Sequence, residues 1–316
     1  MHPALSVIIF TTASGAGYGL LVWYGLISTF SEAAGGRLVA LVILPFALLL
    51  VTVGLLSSTF HLGRPERAWR AFSQWRTSWL SREGICSVMT YVPAGLLMLA
   101  WIVSPAPGAI VVALGLITAC ASLVTIYCTA MIYASLKTVH QWCNPYVAPN
   151  YLALGLYCGA LLLAAVLYLC GQGSRGVDVV ALATGLAALL GKISYWRFIA
   201  TTRHPSSPES ATGLGSFGEV RLFETPHTEE NYLMREMGFS IARKHAEKLR
   251  RLCLLTLFGG PLLLVLIASL TNGGVTASIV ATLAVLSAAV GLLVERWLFF
   301  AEARHVVTLF YGARAA

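Results

Sequence analysis

Residues 60–70 read Phe-His-Leu-Gly-Arg-Pro-Glu-Arg-Ala-Trp-Arg, and they separate two long apolar runs of the chain. The pair Leu62-Gly63 is typical of a helix end, because glycine readily takes the left-handed conformation that follows a helix. Pro65 suits the first turn of a new helix. Five arginines lie between residues 61 and 83, although only 11% of the chain is charged. The stretch therefore predicts a helix end, a charged segment and the start of another element.

The segment after this stretch has the pattern of a helix lying in the plane of a membrane surface. Trp69, Phe72 and Trp75 recur at a spacing of three, as on the apolar face of an amphipathic helix. Tryptophan and arginine are both common at headgroup depth, so an interfacial anchor without chemistry explains most of the segment. His61 and Glu83 differ, because they flank the segment where the chain leaves and re-enters the apolar runs. Both are candidates for chemistry.

The composition is that of a membrane protein. Hydrophobic residues make up 58% of the chain and the mean hydropathy is +0.78, which excludes soluble classes. Eight apolar runs are close to the roughly 20 residues that a helix needs to cross a bilayer. They cover residues 5–30, 38–59, 84–103, 109–133, 151–170, 179–200, 252–270 and 276–300. The sequence predicts an all-α polytopic membrane protein with eight transmembrane helices in antiparallel hairpins and short interfacial helices.

An even number of spans places both termini on one side of the membrane, called side A. The first run is too long for a signal peptide and no basic segment precedes it, so it is expected to remain as a helix. Residues 1–316 are expected to form a single membrane-anchor domain. Residues 201–251 are expected to form a loop and an amphipathic helix on side A.

The distribution of positive charge predicts the orientation. Seventeen of the 21 lysines and arginines fall on side A, in residues 61–83, 134–149 and 197–251 and at the C-terminus. Only Arg37 and Arg175 fall in loops of the opposite side. Because cytoplasmic loops carry the excess of positive charge, side A is predicted to be cytoplasmic and the protein to lie in a bacterial inner membrane, among lipids. The net charge of +8 then reflects topology, and nucleic acid is not an expected partner.

The cysteines and histidines do not form the usual patterns of metal or cofactor sites. The seven cysteines contain no C-x-x-C pair, which argues against iron–sulfur and zinc sites. The seven histidines lie near predicted helix ends or in loops, whereas a transmembrane haem needs facing histidines within the bilayer. The sequence therefore predicts no haem and no iron–sulfur cluster in this chain. Residues 213–218 match G-x-G-x-x-G, but no strand is predicted before them, so a dinucleotide site is rejected.

Three features have two interpretations each. Gly15 and Gly19 form a G-x-x-x-G pattern, which serves close helix packing or leaves a groove for a flat ligand. Lys192 lies inside the sixth run, and extension of its side chain to the side A interface is favoured over a role in proton transfer or ligand binding. The basic helix predicted over residues 231–251 has an apolar face, which is covered by the protein's own helix ends or by a soluble partner.

Three stretches of the sequence carry a resemblance to a known family. Residues 61–68, His-Leu-Gly-Arg-Pro-Glu-Arg-Ala, follow the second apolar run, and residues 81–84, Ser-Arg-Glu-Gly, open the third. Residues 295–300, Glu-Arg-Trp-Leu-Phe-Phe, are similar to a G-R-x-x-F-Y element in the eighth helix. With these elements the chain resembles the membrane anchor subunits of dimethyl sulfoxide reductases, the DmsC family. It departs from the family at Leu292, where members often have a glutamate, and in the long segment of residues 201–230.

The resemblance implies a function in electron transfer. Such anchors carry no redox centre of their own, so the resemblance implies no molybdenum in this chain. They bind a four-cluster iron–sulfur subunit, which is attached to a molybdopterin catalytic subunit, and they exchange electrons with quinone in the membrane. The substrate chemistry belongs to the partner, so no catalytic residue is expected in this chain.

Within the family, the charge on side A and the basic helix look most like the membrane subunit of cytoplasm-facing sulfite dehydrogenases of the SoeABC type. Electrons would then flow from sulfite to quinone. The alternatives are an anchor of a quinol-oxidising reductase for dimethyl sulfoxide, a transporter, and a purely structural tether.

By the motif, His61 and Glu83 correspond to quinone-site residues. Reduction of a quinone takes up two electrons and two protons, so its oxygens need proton donors nearby, and a histidine and a carboxyl group suit this role. Arg64 or Arg67 is expected to stabilise the charge that develops on a quinone oxygen. The alternative for Glu83 is an ion pair with Arg82 or Arg67 and no part in chemistry. Exchangeable quinone or quinol is the cofactor that the resemblance implies.

Overall fold

The computed structural model of the chain describes residues 4–30, 36–60, 62–103, 108–224, 241–271 and 273–315, without the side chains of residues 241–244. Within these ranges the chain is helical, with no strand beyond one isolated bridge between Val139 and His305. Eight helices are long and apolar enough to cross a membrane. The predicted all-α polytopic fold is confirmed for this part of the chain.

Eight long helices and four short elements make up the described chain. The long helices are α1 Leu5–Ile27, α2 Gly36–Thr59, α3 Trp79–Val103, α4 Ala109–Ala134, α5 Val147–Leu169, α6 Arg175–Thr201, α7, and α8 Gly274–Ala301. Helix α7 consists of an α-helical segment Ile241–Cys253, a π turn Leu254–Gly259 and a second segment Gly260–Leu270. The short elements are a 3-10 helix Pro65–Gln74, called the rim helix, a helix Pro208–Thr212, and two 3-10 turns, Gly215–Phe217 and Val306–Tyr311.

Helices α1 and α5 form the centre of the bundle. Their apolar windows are 56% and 72% buried, against 28–39% in the other six. Glycine permits their close approach, because a Cβ atom built on Gly19 would lie 1.8 Å from the carbonyl oxygen of Gly155. A Cβ atom on Gly15, one turn earlier, would meet nothing within 4 Å. Gly19 therefore serves helix packing, as the favoured interpretation of the pattern states, while Gly15 faces open space.

The rim helix covers the side A end of α3. Its side chains are mostly exposed, as expected for an interfacial element. Arg82 holds the end of this segment, because it donates hydrogen bonds to the carbonyl oxygens of Trp75 (2.9 Å) and Arg76 (2.6 Å). The Phe72 ring packs over Gly84, where a Cβ atom would lie 3.0 Å from the ring. The charged segment is thus fixed on the two residues that flank Glu83 in the sequence.

The π turn of α7 packs against α5 and α8. Its Leu257 carbonyl oxygen accepts a hydrogen bond from the Tyr157 hydroxyl at 3.0 Å. On the other side, a Cβ atom on Gly291 of α8 would lie 2.4 Å from the Leu257 nitrogen. The wider turn, which closes i to i+5, therefore brings the backbone of α7 into contact with two neighbouring helices.

The long connection between α6 and α7 is described up to residue 224. Residues 213–218 follow the short helix Pro208–Thr212, and no strand precedes them in the described chain. They lack the βαβ setting of a dinucleotide site. Residues 225–240 lie outside the described residues, so the amphipathic helix predicted over residues 231–251 is described only from Ile241 onward.

Candidate functional site

Glu83 lies in the second turn of α3 and is buried, with 4% of its surface exposed. Its Oε1 atom accepts a hydrogen bond from the Ser87 hydroxyl at 2.8 Å, one turn further along the helix. Among the described residues no cation lies within ion-pair distance of Glu83. Arg82 binds backbone carbonyl oxygens, and Arg67 lies 3.9 Å from Glu66. In this part of the chain Glu83 is therefore not an ion-pair partner of either arginine.

The other predicted site residues lie at the surface or outside the described chain. Arg64 and Arg67 are exposed, at the start of the rim helix. His61 is outside the described residues. The structure thus places Glu83 inside the bundle and the two arginines at the rim. In the described chain, neither arginine forms a hydrogen bond or an ion pair with Glu83.

Tyr18 of α1 connects the surroundings of Glu83 with a narrow cleft. The Tyr18 side chain is buried, with 1% exposed, and its hydroxyl lies close to Ser87 and Glu83. The cleft runs between α1, α4, α5 and α8, and Gly15, Tyr18, Tyr151 and Arg296 are among the residues that line it. Its cavity volume is about 20 Å³. Because Gly15 carries no side chain, this space stays open.

Three charged side chains, called the cationic cluster, are buried beside the cleft. They are Lys192 of α6 and Glu295 and Arg296 of α8, which are 2%, 1% and 3% exposed. Lys192 Nζ binds Glu295 Oε1, and Arg296 Nε lies 2.7 Å from Glu295 Oε2. The Arg296 guanidinium also lies 4.0 Å from the ring centroid of Tyr151. With two cations and one anion, the cluster carries a net positive charge inside the bundle.

The prediction that Lys192 extends to the side A interface is wrong. Its ammonium group is held inside the bundle by Glu295 and by the rings of Tyr195 and Trp196, whose centroids lie 4.3 and 5.2 Å away. A charge at this depth is costly unless it is paired, and the carboxylate on α8 provides the pairing. The two residues are 103 positions apart, so the pattern along α6 gives no sign of the partner.

Aromatic rings fix the side A end of α8 around Arg296. Phe299 and Phe300 pack against Tyr133, with centroid distances of 5.5 and 5.3 Å. The indole nitrogen of Trp142 donates a hydrogen bond to the Phe299 carbonyl oxygen at 2.9 Å, which ties the loop between α4 and α5 to this helix end. The last residues of the family-like element at 295–300 therefore hold Arg296 in place.

A larger cavity, the side A cavity, opens at the ends of α6, α7 and α8. Its volume is about 510 Å³, and its lining includes His140, Thr202, Arg250 and Glu302. Arg250 binds Glu302 Oε1 at 2.8 Å, yet burial dominates and raises the pKa of Glu302 above its ordinary value. His140 Nε2 shares a hydrogen bond with the Thr202 hydroxyl at 2.8 Å, and burial together with the nearby His204 lowers the pKa of His140.

Tyr18, Tyr151 and Arg296 are buried polar residues that the sequence alone did not assign to a site. A signal existed for Arg296, because the adjacent charges of Glu295 and Arg296 interrupt an apolar run, and charges within a membrane span are usually functional. The tyrosines carry no such signal, since tyrosine also occurs as an ordinary core residue. Their role depends on which helices meet at the cleft.

Metal-ligating side chains are scattered in the structure. In the described ranges, no group of three or more His, Cys, Asp or Glu side chains is placed to hold a metal ion. The polar side chains that do gather, around Glu83 and around Glu295, are hydrogen-bonding and ion-pairing groups. Their chemistry suits proton transfer and the binding of carbonyl oxygens.

Known proteins match the whole chain. The family model described as DMSO reductase anchor subunit (DmsC) matches residues 1–313. The chain is also 35% identical, over 333 residues, to a sulfite dehydrogenase subunit of Allochromatium vinosum, and this match covers 100% of both chains. Both findings agree with the resemblance carried by residues 61–68 and 295–300, and they extend it over the full length.

Proposed function

Because the chain belongs to the DMSO reductase anchor subunit (DmsC) family and is thereby the membrane anchor subunit of an oxidoreductase, we propose that it passes electrons between a partner iron–sulfur subunit and the quinone pool. A molybdopterin subunit attached to that partner carries out the substrate chemistry. The observation that carries the proposal is Glu83, a buried carboxyl group near side A that is hydrogen-bonded to a hydroxyl and has no cation beside it among the described residues.

The predicted site residues have the chemistry that a quinone headgroup needs. Such a group, when bound, supplies two-electron, two-proton chemistry. Glu83 holds and releases a proton next to the Tyr18 hydroxyl, and His61 acts as a second proton donor. Arg64 and Arg67 at the rim stabilise negative charge on the side of the membrane from which the electrons arrive. A carboxyl group, a histidine and hydroxyl groups are the donors that two carbonyl oxygens require.

The proposed direction is from sulfite to quinone. The relative that carries the name of a sulfite dehydrogenase subunit matches over the full length of both chains. A second candidate is the oxidation of quinol for a reductase of the dimethyl sulfoxide type, which the family name favours. The same residues serve both directions, because Glu83 can take up or release a proton. The catalytic partner decides the direction.

Side A is proposed to face the cytoplasm, with the protein in a bacterial inner membrane. Seventeen of the 21 lysines and arginines fall on this side, and cytoplasmic loops carry such an excess. The partner subunit then binds to side A. The rim helix, the loop between α4 and α5, and the basic first segment of α7 offer it a cationic surface, which orients a partner of opposite charge.

The test uses the complex isolated from native membranes through a tag on this chain, with its subunits identified by mass spectrometry. Sulfite-driven reduction of decylubiquinone is compared with sulfite-driven reduction of ferricyanide, which accepts electrons from the soluble subunits. Glu83→Gln is expected to lower quinone reduction about a hundredfold, as for loss of a general acid or base, and to keep ferricyanide reduction. Glu219→Gln, which changes an exposed glutamate away from the predicted site residues, is the matched control and should keep both.

Two results would contradict the proposal. One is a complex without iron–sulfur and molybdopterin subunits. The other is full quinone reduction by Glu83→Gln. A complex that oxidises a quinol with dimethyl sulfoxide, and that has no activity with sulfite, would select the second direction.

A further inference from the structure

Hydrogen bonds from the loop between α4 and α5 fix two walls of the side A cavity. His140 Nε2 shares a hydrogen bond with the Thr202 hydroxyl at the end of α6, at 2.8 Å. The side-chain oxygen of Gln141 accepts a hydrogen bond from the backbone nitrogen of Arg304, beyond the end of α8, at 3.0 Å. All four residues line the cavity. The loop and the two helix ends are therefore held together around this space.

A third contact joins α7 to the end of α8 and brings an arginine to the cavity. Arg250 Nη2 binds Glu302 Oε1 at 2.8 Å, and its guanidinium lies 5.6 Å from the ring centroid of Trp196 on α6. Arg250 and Glu302 both line the cavity. The Arg250 side chain is still 27% exposed in this pair. The pair thus orients the guanidinium and leaves part of it accessible.

The described lining of the cavity carries an excess of positive charge. It contains three arginines, at positions 203, 250 and 304, and one carboxyl group, that of Glu302. Glu302 is paired with Arg250. Arg203 is exposed and has no ion pair among the described residues. Because guanidinium groups match the geometry of phosphate oxygens, the charge and the donors of this lining suit a phosphate group.

The cavity lies at the depth where the spanning helices end. Its lining includes Ile199 and Ala200 in the last turn of α6. Trp196 lies one turn deeper, and tryptophan is enriched at headgroup depth in membranes. Further into the span, α6 and α7 expose apolar side chains such as Ile193 and Leu252. A ligand with an anionic end and an apolar end would contact both the arginines and these side chains.

We propose that the side A cavity binds the headgroup of an anionic phospholipid. Arg203 and Arg304 donate to the oxygens of its phosphate, and the acyl chains lie against the exposed apolar side chains of α6 and α7. The cavity volume of about 510 Å³ is within the roughly 300–1,000 Å³ of ligand pockets, which is sufficient for a phosphoglycerol group. Basic pockets between transmembrane helices bind such headgroups in other membrane proteins. The site is separate from Glu83 and does not depend on the proposed electron transfer.

A free phosphate ion has the same chemistry at the arginines but no acyl chain. It would leave the apolar lining at Ile199 and Ala200 without a contact. A carboxylate of a partner subunit would likewise use only the charge of the cavity. The combination of arginines with apolar residues at a helix end therefore favours the lipid over both.

The test measures the binding of phosphatidylglycerol, labelled with a fluorophore on one acyl chain, to the isolated complex in a neutral detergent. Labelled phosphatidylcholine, which has no net charge, reports lipid binding that does not depend on an anionic headgroup. The wild-type complex is expected to bind phosphatidylglycerol at least about tenfold more tightly than phosphatidylcholine, because several arginines near one headgroup each contribute to the attraction.

The variant Arg203→Gln is expected to weaken phosphatidylglycerol binding about fivefold, as for loss of one cation near an anionic lipid, and to leave phosphatidylcholine binding unchanged. Arg197→Gln is the matched control. Arg197 lies near the same end of α6, is also exposed, and is not part of the cavity lining. It should match the wild type. Thermal midpoints without added lipid show whether both variants are folded, which their exposure leads us to expect.

Three results would overturn the proposal. One is equal affinity of the wild-type complex for the two lipids. Another is an equal loss in Arg203→Gln and Arg197→Gln, because the net charge and not the cavity would then account for binding. The third is binding of phosphatidylglycerol that appears only after the soluble subunits are removed, which would assign the cavity to the partner.

Competition separates the two sources of phosphate. Inorganic phosphate at millimolar concentration should leave the labelled phosphatidylglycerol bound, since it offers no apolar contact. Displacement of the lipid by inorganic phosphate, with unlabelled phosphatidylglycerol no more effective, would assign the cavity to a free phosphate ion and overturn the assignment to lipid.

Discussion

Glu83 and Glu295 are both buried carboxyl groups near the side A ends of their helices, but their surroundings differ. Glu83 is hydrogen-bonded to the Ser87 hydroxyl, whereas Glu295 is held by Lys192 and Arg296. Loss of the charge on Glu83 leaves no cation of the described residues unpaired. Loss of the charge on Glu295 leaves Lys192 and Arg296 without their anion. Burial alone therefore does not distinguish a carboxyl group suited to chemistry from one on whose charge the fold depends. The partners distinguish them.

The largest effect on stability is expected for Glu295→Gln. This variant leaves Lys192 and Arg296 as unpaired cations inside the bundle, which costs about 3–5 kcal/mol. We expect less folded protein in membranes and a lower thermal midpoint in detergent, measured by tryptophan fluorescence. Glu83→Gln is the matched control, and its loss should stay below about 1 kcal/mol because the amide can still bond to Ser87. Equal losses in the two variants would remove the distinction between the carboxyl groups.

Lys192→Met should cost less than Glu295→Gln, although both break the same ion pair. Glu295 keeps Arg296 as its partner in this variant, so no buried charge is left alone. We expect a loss of about 1–2 kcal/mol, the range of an ordinary core substitution. The same fluorescence measurement checks it. A loss as large as that of Glu295→Gln would mean that Arg296 does not neutralise the carboxylate.

Ser87→Ala is expected to have a smaller effect, confined to Glu83. It removes the hydroxyl that donates to the carboxyl group, which costs about 1 kcal/mol. The infrared carboxyl band of Glu83 should move to higher frequency, because a hydrogen bond to the group is lost. Ser81→Ala is the control, since Ser81 lies on the same helix, is buried, and has a hydroxyl without a partner among the described residues. The band should stay in place in Ser81→Ala, and a shift in both variants would speak against a specific bond.

The smallest effect is expected on the pH dependence of stability, through His140 in the side A cavity. Burial and His204 lower the pKa of His140, so the folded protein binds this proton less readily than the unfolded chain. The stability that depends on the neutral ring is present above the ordinary histidine pKa of about 6.5 and is lost as the pH falls below it.

We therefore expect the thermal midpoint to fall between pH 7 and pH 5, and to fall less in His140→Gln, which can keep a hydrogen bond to Thr202. Burial raises the pKa of Glu302, so this group favours the folded state on acidification. Glu302 contributes equally to the wild type and to His140→Gln, so its effect cancels when their thermal midpoints are compared. Parallel pH profiles would exclude His140 as the cause.

Hydropathy predicts the eight helices and their order well, because a bilayer demands about 20 apolar residues for each span. The predicted starts of the helices are less accurate at side A. Helix α3 begins at Trp79 and the first segment of α7 is described from Ile241, both within polar sequence. The start of α3 is stabilised by the hydrogen bonds of Arg82 to the carbonyl oxygens of Trp75 and Arg76, and hydropathy carries no information on such contacts.

The candidate site could be predicted only in part. The motif at residues 61–68 and 81–84 points to Glu83, whose side chain the structure places inside the bundle. The pairing of Lys192 with Glu295 could not be predicted, because it depends on which helices are neighbours. The two glycines of α1 show the same limit. One pattern contains both Gly15 and Gly19, and only the packed structure shows that the first faces the cleft and the second faces α5.

The π turn in α7 takes up one extra residue between the basic segment and the spanning segment. Successive residues of an α-helix are rotated by about 100° around its axis, whereas the wider π turn over Leu254–Gly259 closes i to i+5 and holds one more residue in a turn. Deleting one residue within it should therefore restore a regular helix while Ile241–Cys253 and Gly260–Leu270 keep their mutual orientation. A deletion in the α-helix between Arg251 and the π turn should instead swing Lys248 and Arg251 by about 100° and re-aim the cationic surface, with the membrane-embedded helices unchanged.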